Sequence, residues 1–191
     1  MKNTCLLLAF LALNAITLRP QDSLQSSNAA NAQNAAKSAT GARAAKPIAA
    51  LSWLVGGVWT ADGSKVAPGL QRIETRYVWS DNGAFIRFNT HFVVDKGPIP
   101  TYDGSFFWDP EQSTLAMWYM DTRNSITQGP VKVDGETTEM SFHGNDFEGK
   151  PADLRVKVIR KTNDHYTWQL EEKVPQGWKQ LASLEYLRLG S

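Results

Sequence analysis

The chain has 191 residues, 42% of them hydrophobic and seven of them tryptophan, which excludes a disordered chain and suits one compact domain. Five of its 20 basic residues and one of its 19 acidic residues fall within residues 1–46, leaving 15 and 18 beyond them. That remainder is mildly acidic, with a net charge of −3, and carries no basic patch or stripe for nucleic acid.

The first element in chain order is a leader. Lys2 precedes an apolar run from Cys5 to Leu13, the pattern of a secretory signal peptide, here assigned to residues 1–18. The run is too short for a membrane helix, which needs about 20 apolar residues, and Asn14 interrupts it. Cleavage after Ala15 puts Leu13 at the minus-three position, not the usual small residue, so the cut site stays open. Cys5 is the only cysteine. It precedes the apolar core instead of following it, which disfavours a lipid attachment site. Without the leader no thiol remains, so disulfides, cysteine nucleophiles and zinc–thiolate sites are all excluded. Residues 19–46 are dominated by Ala, Asn, Gln and Ser, with no aromatic residue and no apolar stripe, and read as a disordered linker. The domain is expected over 47–191, in a protein secreted or exported to a periplasm.

The segment 47–56, PIAALSWLVG, is apolar nearly throughout and about two turns long. It reads as a short helix closing one end of the fold. From residue 58 onward short runs of aromatic and β-branched residues alternate with turn formers. They predict strands over 58–63, 70–80, 84–95, 101–108 and 114–122, then 125–133, 136–144, 152–162, 165–174 and 178–188. Asp81-Asn82-Gly83, Asp109-Pro110, Asp134-Gly135, Asn163-Asp164 and Gln176-Gly177 mark the turns. Connections this short suit antiparallel hairpins and leave no room for crossover helices. An all-β, up-and-down barrel of about ten strands removes the exposed edges of such a meander, and a two-sheet sandwich is the alternative.

Alternation shows some interior faces directly. Leu154, Val156 and Val158 form one face of a strand, as do Tyr166, Trp168 and Leu170. The strand 84–95 is ambiguous. Ala84, Ile86, Phe88, Thr90, Phe92 and Val94 share one face, and Phe85, Arg87, Asn89, His91 and Val93 share the other. Either the first packs inward and the second meets solvent, or Arg87, Asn89 and His91 line a polar pocket. Trp79, Trp108, Trp118 and Trp168 are expected to fill the barrel or its ends.

Three pieces of the sequence carry a resemblance: Leu54-Val55-Gly56-Gly57-Val58-Trp59, the pair 102–109 and 115–121, and the terminal strand ending Leu184-Glu185-Tyr186-Leu187-Arg188. Together they resemble the lipocalin-like, calycin-type barrels, and most closely a family of small, often secreted bacterial proteins of unestablished function. The resemblance implies a barrel with an internal cavity for a small hydrophobic ligand, and no catalytic residue. Related haem-binding barrels use an axial histidine near the C-terminus. This chain has no histidine after His165, so haem is not expected.

The candidate ligand-binding residues are Arg87, Asn89, His91, Tyr119, Trp118 and Trp168. A lumenal Arg87 and His91 would need a partner to offset desolvation, supplied by a ligand oxyanion or by Asp103, Tyr119 or Glu185. His143 and His165 read as surface or turn residues, and no metal site or cofactor is expected. Gly56, Gly57, Trp53 and Trp59 are the candidate closure residues, the glycines letting the chain turn sharply and backbones approach. The leading reading is binding of a small apolar or amphipathic molecule. A cyclase or isomerase using Arg87 and His91 with a lumenal carboxylate is the first alternative, and a ligand-free interaction protein the second. The residues leave monomer and homodimer both open.

Overall fold

The computed structural model describes residues 47–145 and 150–190. The signal peptide expected over 1–18 and the linker expected over 19–46 lie outside the described residues. Ten strands follow one another: β1 (Val58–Asp62), β2 (Arg72–Trp79), β3 (Phe85–Val94), β4 (Gly97–Asp109) and β5 (Thr114–Asp121), then β6 (Ile126–Asp134), β7 (Thr137–Asn145), β8 (Pro151–Thr162), β9 (His165–Val174) and β10 (Gly177–Leu189). Each pairs antiparallel with the next, and β1 also pairs with β10, so the sheet closes on itself. This is the all-β antiparallel barrel that the strand pattern predicts. The sandwich is ruled out by the β1–β10 seam.

Strand β4 begins at Gly97, four residues earlier than expected, despite Pro98 and Pro100. Residues 97–100 pair with β3 alone, because the ladder between β4 and β5 starts at Tyr102. Prolines are tolerated there since the strand has a free side to which no N–H is owed. A bulge between Thr90 and His91 absorbs the change of register.

Side chains alternate as the pleat requires. Ile73, Ile86, Phe106, Leu115, Met117, Val131, Val156, Val158 and Leu184 are buried inward. The outward parity carries charge, including the exposed Arg72, Arg76, Arg87, Asp103 and Lys132. This apolar-in, charged-out arrangement is opposite to that of a membrane-spanning barrel. Among the described residues no helix is long and apolar enough to cross a membrane.

The segment expected as a helix over 47–56 is a 3-10 helix, Pro47–Leu54. Its buried residues are Ile48, Leu51 and Leu54, a spacing of three that matches three residues per turn. It closes one end of the barrel against Trp59, which is fully buried and donates its indole N–H to the Leu54 carbonyl at 2.7 Å. Trp53 stands edge-on to both Trp59 and Tyr166, with ring centroids 5.8 and 5.7 Å away. Arg188 of β10 lies 4.4 Å over the Trp59 ring. Its guanidinium donates to the carbonyls of Val55 at 2.9 Å, Gly56 at 3.1 Å and Asn163 at 2.8 Å, and also to that of Trp53. One side chain thus ties together the helix, the first and last strands and the β8–β9 turn.

The two glycines make room for that side chain. Gly56 and Gly57 adopt φ of +93° and +67°, in the left-handed region where a Cβ is strained. A Cβ on Gly57 would also fall 2.9 Å from the Arg188 Cγ and 2.8 Å from the Gly190 carbonyl. Gly57→Val should therefore cost about 2–4 kcal/mol, lowering Tm by roughly 5–15 °C in calorimetry. Arg188→Met, which keeps the stem but strands the carbonyls, should cost about 3 kcal/mol. A Tm unchanged in both variants would show that this end does not hold the barrel together.

Candidate functional site

Above the closed end the barrel encloses a cavity of about 430 Å³, within the range of about 300–1,000 Å³ usual for small-molecule sites. Leu54 of the 3-10 helix and Tyr166 contribute to its lining. Over them stands a cluster from β2, β3 and β4, in which Phe88 lies 6.0 Å from Tyr77 and 5.3 Å from Phe106 between ring centroids. Beside it the buried Thr75 and Thr90 hydroxyls share a hydrogen bond of 2.9 Å. Higher still, Phe92, Tyr102, Tyr119 and Phe142 meet edge to face in sequence, with centroids 5.9, 5.3 and 6.2 Å apart. This belt of rings runs around the cavity from β3 to β7.

All five tyrosines of the chain line this cavity. Burial raises the Tyr77 hydroxyl to about 12, while the neighbouring Tyr166 hydroxyl pulls the other way. Burial also raises Tyr166 and Tyr186, which stack at 4.8 Å, and raises Tyr102 and Tyr119 nearer the open end. At neutral pH the wall therefore presents five protonated phenols, each able to donate or accept a hydrogen bond.

Charge is confined to the open end. Among the described lining residues the side chains that can carry charge at neutral pH are Asp121, Arg123 and His143. The Asp121 carboxylate accepts from the Arg123 and Ser125 backbone N–H groups at 2.8 and 3.0 Å and pairs with the Arg123 guanidinium at 2.7 Å. Burial works to raise this carboxyl, but the guanidinium and the two N–H groups outweigh it and hold it below the usual range. His143 is paired at 3.0 Å with Asp153, and both are largely exposed. His165, at the closed end, meets Glu185 at 2.7 Å. Among the described residues no group of three or more His, Cys, Asp or Glu is placed to hold a metal ion.

The predicted ligand-binding residues divide between the two faces. Tyr119 and Trp168 line the cavity, but Arg87, Asn89, His91 and Trp118 do not. On β3 the lining residues are Phe88, Thr90 and Phe92, so the opposite face, with the exposed Arg87, points outward. Asn89 lies there between Arg76 and Asp103 in the ladder, its Oδ1 buried without a partner. Trp118 pairs with Ser105 and Gln128 on the outside, because Met117 and Tyr119 take the inner positions on β5. The polar lumen built from Arg87, Asn89 and His91 is thus corrected to an outer surface. Sequence reasoning missed Tyr77, Tyr102, Tyr166 and Tyr186 as a set, and the Asp121–Arg123 pair. No protein-family model matches the chain, and no curated protein is significantly similar to it. The observed closed ten-stranded barrel with a short helix at one end is consistent with a generic calycin or lipocalin-type barrel.

The tyrosines make an alkaline signature. In the unfolded chain each ionises near pH 10, whereas in the barrel Tyr77 holds its proton to about 12. Stability from keeping these phenols neutral is complete below about pH 10 and is lost as pH rises through the folded values, by about 1.4 kcal/mol per unit for each tyrosine. Tyrosinate absorbance from the deeply buried Tyr77, Tyr166 and Tyr186 should therefore appear only together with loss of the β-sheet circular dichroism signal. Ionisation of all five tyrosines near pH 10 in a chain that stays folded would contradict the burial described.

Proposed function

We propose that this chain is an exported, lipocalin-like binding protein that carries a small, uncharged apolar or amphipathic molecule inside its barrel. The observation that carries this reading is the cavity itself: about 430 Å³, walled by aromatic and aliphatic side chains, with hydroxyls as the deep polar side chains among its described lining residues. An ion drawn into this lumen would lose its hydration with no opposite charge to replace it, at a cost of several kcal/mol. A ligand carbonyl or hydroxyl, by contrast, would meet the phenols of Tyr77, Tyr166 and Tyr186 or the Thr75–Thr90 pair. The resemblance to small secreted bacterial barrels and the leader-like start of the chain support the exported setting. The cyclase or isomerase reading loses its support, since Arg87 and His91 stand outside the cavity. A cavity of this size also disfavours a barrel that acts by its surface alone.

Two naphthalene probes test the reading, because they differ chiefly in charge. The neutral N-phenylnaphthylamine should bind with enhanced fluorescence, and its sulfonated analogue at least about tenfold more weakly, equivalent to about 1.4 kcal/mol. Ala182 lines the cavity from β10, so Ala182→Trp should fill the lumen and abolish probe binding while the chain stays folded. Tighter binding of the sulfonate, or full binding by the Trp variant, would refute an uncharged ligand in the barrel.

A further inference from the structure

The barrel is not equally sealed along its length. The ladder between β6 and β7 runs from Asp134–Thr137 to Val131–Met140 and stops there. Yet β5 goes on pairing with β6 as far as Ile126, and β8 pairs with β7 as far as Asn145. The upper halves of β6 and β7 each keep their other neighbour and lose one another. The ladder stops beside Pro130, which has no N–H to give it. The last close approach is at Gly129, where an added Cβ would fall 1.9 Å from the Ser141 carbonyl oxygen. Glycine therefore lets the two backbones touch at the base of the split.

Above that point Ile126 and Thr127 form one edge and Phe142, His143 and Gly144 the other, and all five line the cavity. Ile126 is 63% exposed and also borders the cavity, an apolar residue at the rim of the split. Its ladder partner Met120, 37% exposed, extends the apolar edge outward. Among the described residues, the split is bridged from inside by the Tyr119–Phe142 ring contact, with no ladder pair above Val131–Met140. The axial end is partly covered, since the β1–β2 connection buries Leu70 in the core and sends Val66 into the cavity lining.

We propose that the split between β6 and β7 is a lateral portal through which an uncharged amphipathic molecule reaches the lumen, its apolar end passing Ile126 first. This rests on the cavity being a ligand site. Parting two fully laddered strands breaks a row of backbone hydrogen bonds, whereas the described residues of β6 and β7 form no ladder pair above Val131–Met140, and the Tyr119 and Phe142 rings close the gap. The Asp121–Arg123 pair stands beside the portal with its carboxylate already satisfied, so it offers a polar resting place for the trailing end without demanding a charged one.

Stopped-flow fluorescence with N-phenylnaphthylamine and the purified chain tests the portal. Ile126→Trp should slow association and dissociation together by about tenfold and leave Kd nearly unchanged, as expected for a barrier residue. Ile126→Ala should speed both, and Pro68→Trp, at an exposed position of the β1–β2 connection outside the cavity lining, should alter neither. Because Ile126 is exposed, these variants are expected to fold, which circular dichroism checks. Unchanged rates in both Ile126 variants, slowing by Pro68→Trp instead, or a change in Kd alone would overturn the portal while leaving the binding reading intact. Failure of the unaltered chain to bind the probe would overturn both.

Discussion

The barrel depends on how its first and last strands are held together. The β1–β10 seam has three paired positions, Val58–Leu189 to Thr60–Leu187, the shortest ladder in the sheet. Three rungs are a weak closure for a ten-stranded ring, and Arg188 reinforces them from the side. Its guanidinium covers Trp59 of β1 and holds carbonyls from the 3-10 helix, its exit and the β8–β9 turn. The guanidinium fork suits this role because its donors are fixed in one plane and its face stacks on an indole. The positive φ of Gly56 and Gly57 is what lets the helix exit pass close enough to be held.

Closing one end firmly divides the interior between two tasks. Near the helix the aromatic rings are packed on each other, with Trp53, Trp59 and Tyr166 in mutual contact and Tyr186 stacked on Tyr166. Towards the other end the rings line a wall and leave space between opposite sides. The packed part supplies stability in a domain without a cysteine, while the open part supplies a volume whose deeper polar side chains, among the described residues, are hydroxyls. Neutral hydroxyls suit such a place because they satisfy hydrogen bonds without the desolvation penalty of an ion. The same physics keeps Asp121 and Arg123 at the rim, where each supplies the other's counter-charge.

Legibility varied strand by strand, for physical reasons. β8 and β9 alternate cleanly, and their inner faces, Leu154 to Val158 and Tyr166 to Leu170, are read correctly from the residues alone. β3 carries large apolar residues on both faces, Phe85 and Val93 opposite Phe88 and Phe92, so parity alone does not choose between them. In β5 the run Leu115-Ala116-Met117-Trp118-Tyr119-Met120 is apolar throughout, and the outward turn of Trp118 leaves no trace in it. The 3-10 helix carried its signal in the spacing of Ile48, Leu51 and Leu54, which fits three residues per turn as well as an α-helical face.

By itself, the sequence determined the strands, their turns, the glycine-bearing junction before Trp59 and hence an antiparallel meander, with a closed barrel as the leading arrangement and a sandwich as the alternative. These are local properties, set by alternation, turn chemistry and the need to leave no edge exposed. Only the tertiary structure decided which face of β3 and β5 looks inward, that five tyrosines from five strands converge on one cavity, and that β6 and β7 part above Gly129. Those facts depend on register and closure, which bring together residues far apart in the chain. A strand's own sequence carries no record of what stands across the barrel from it.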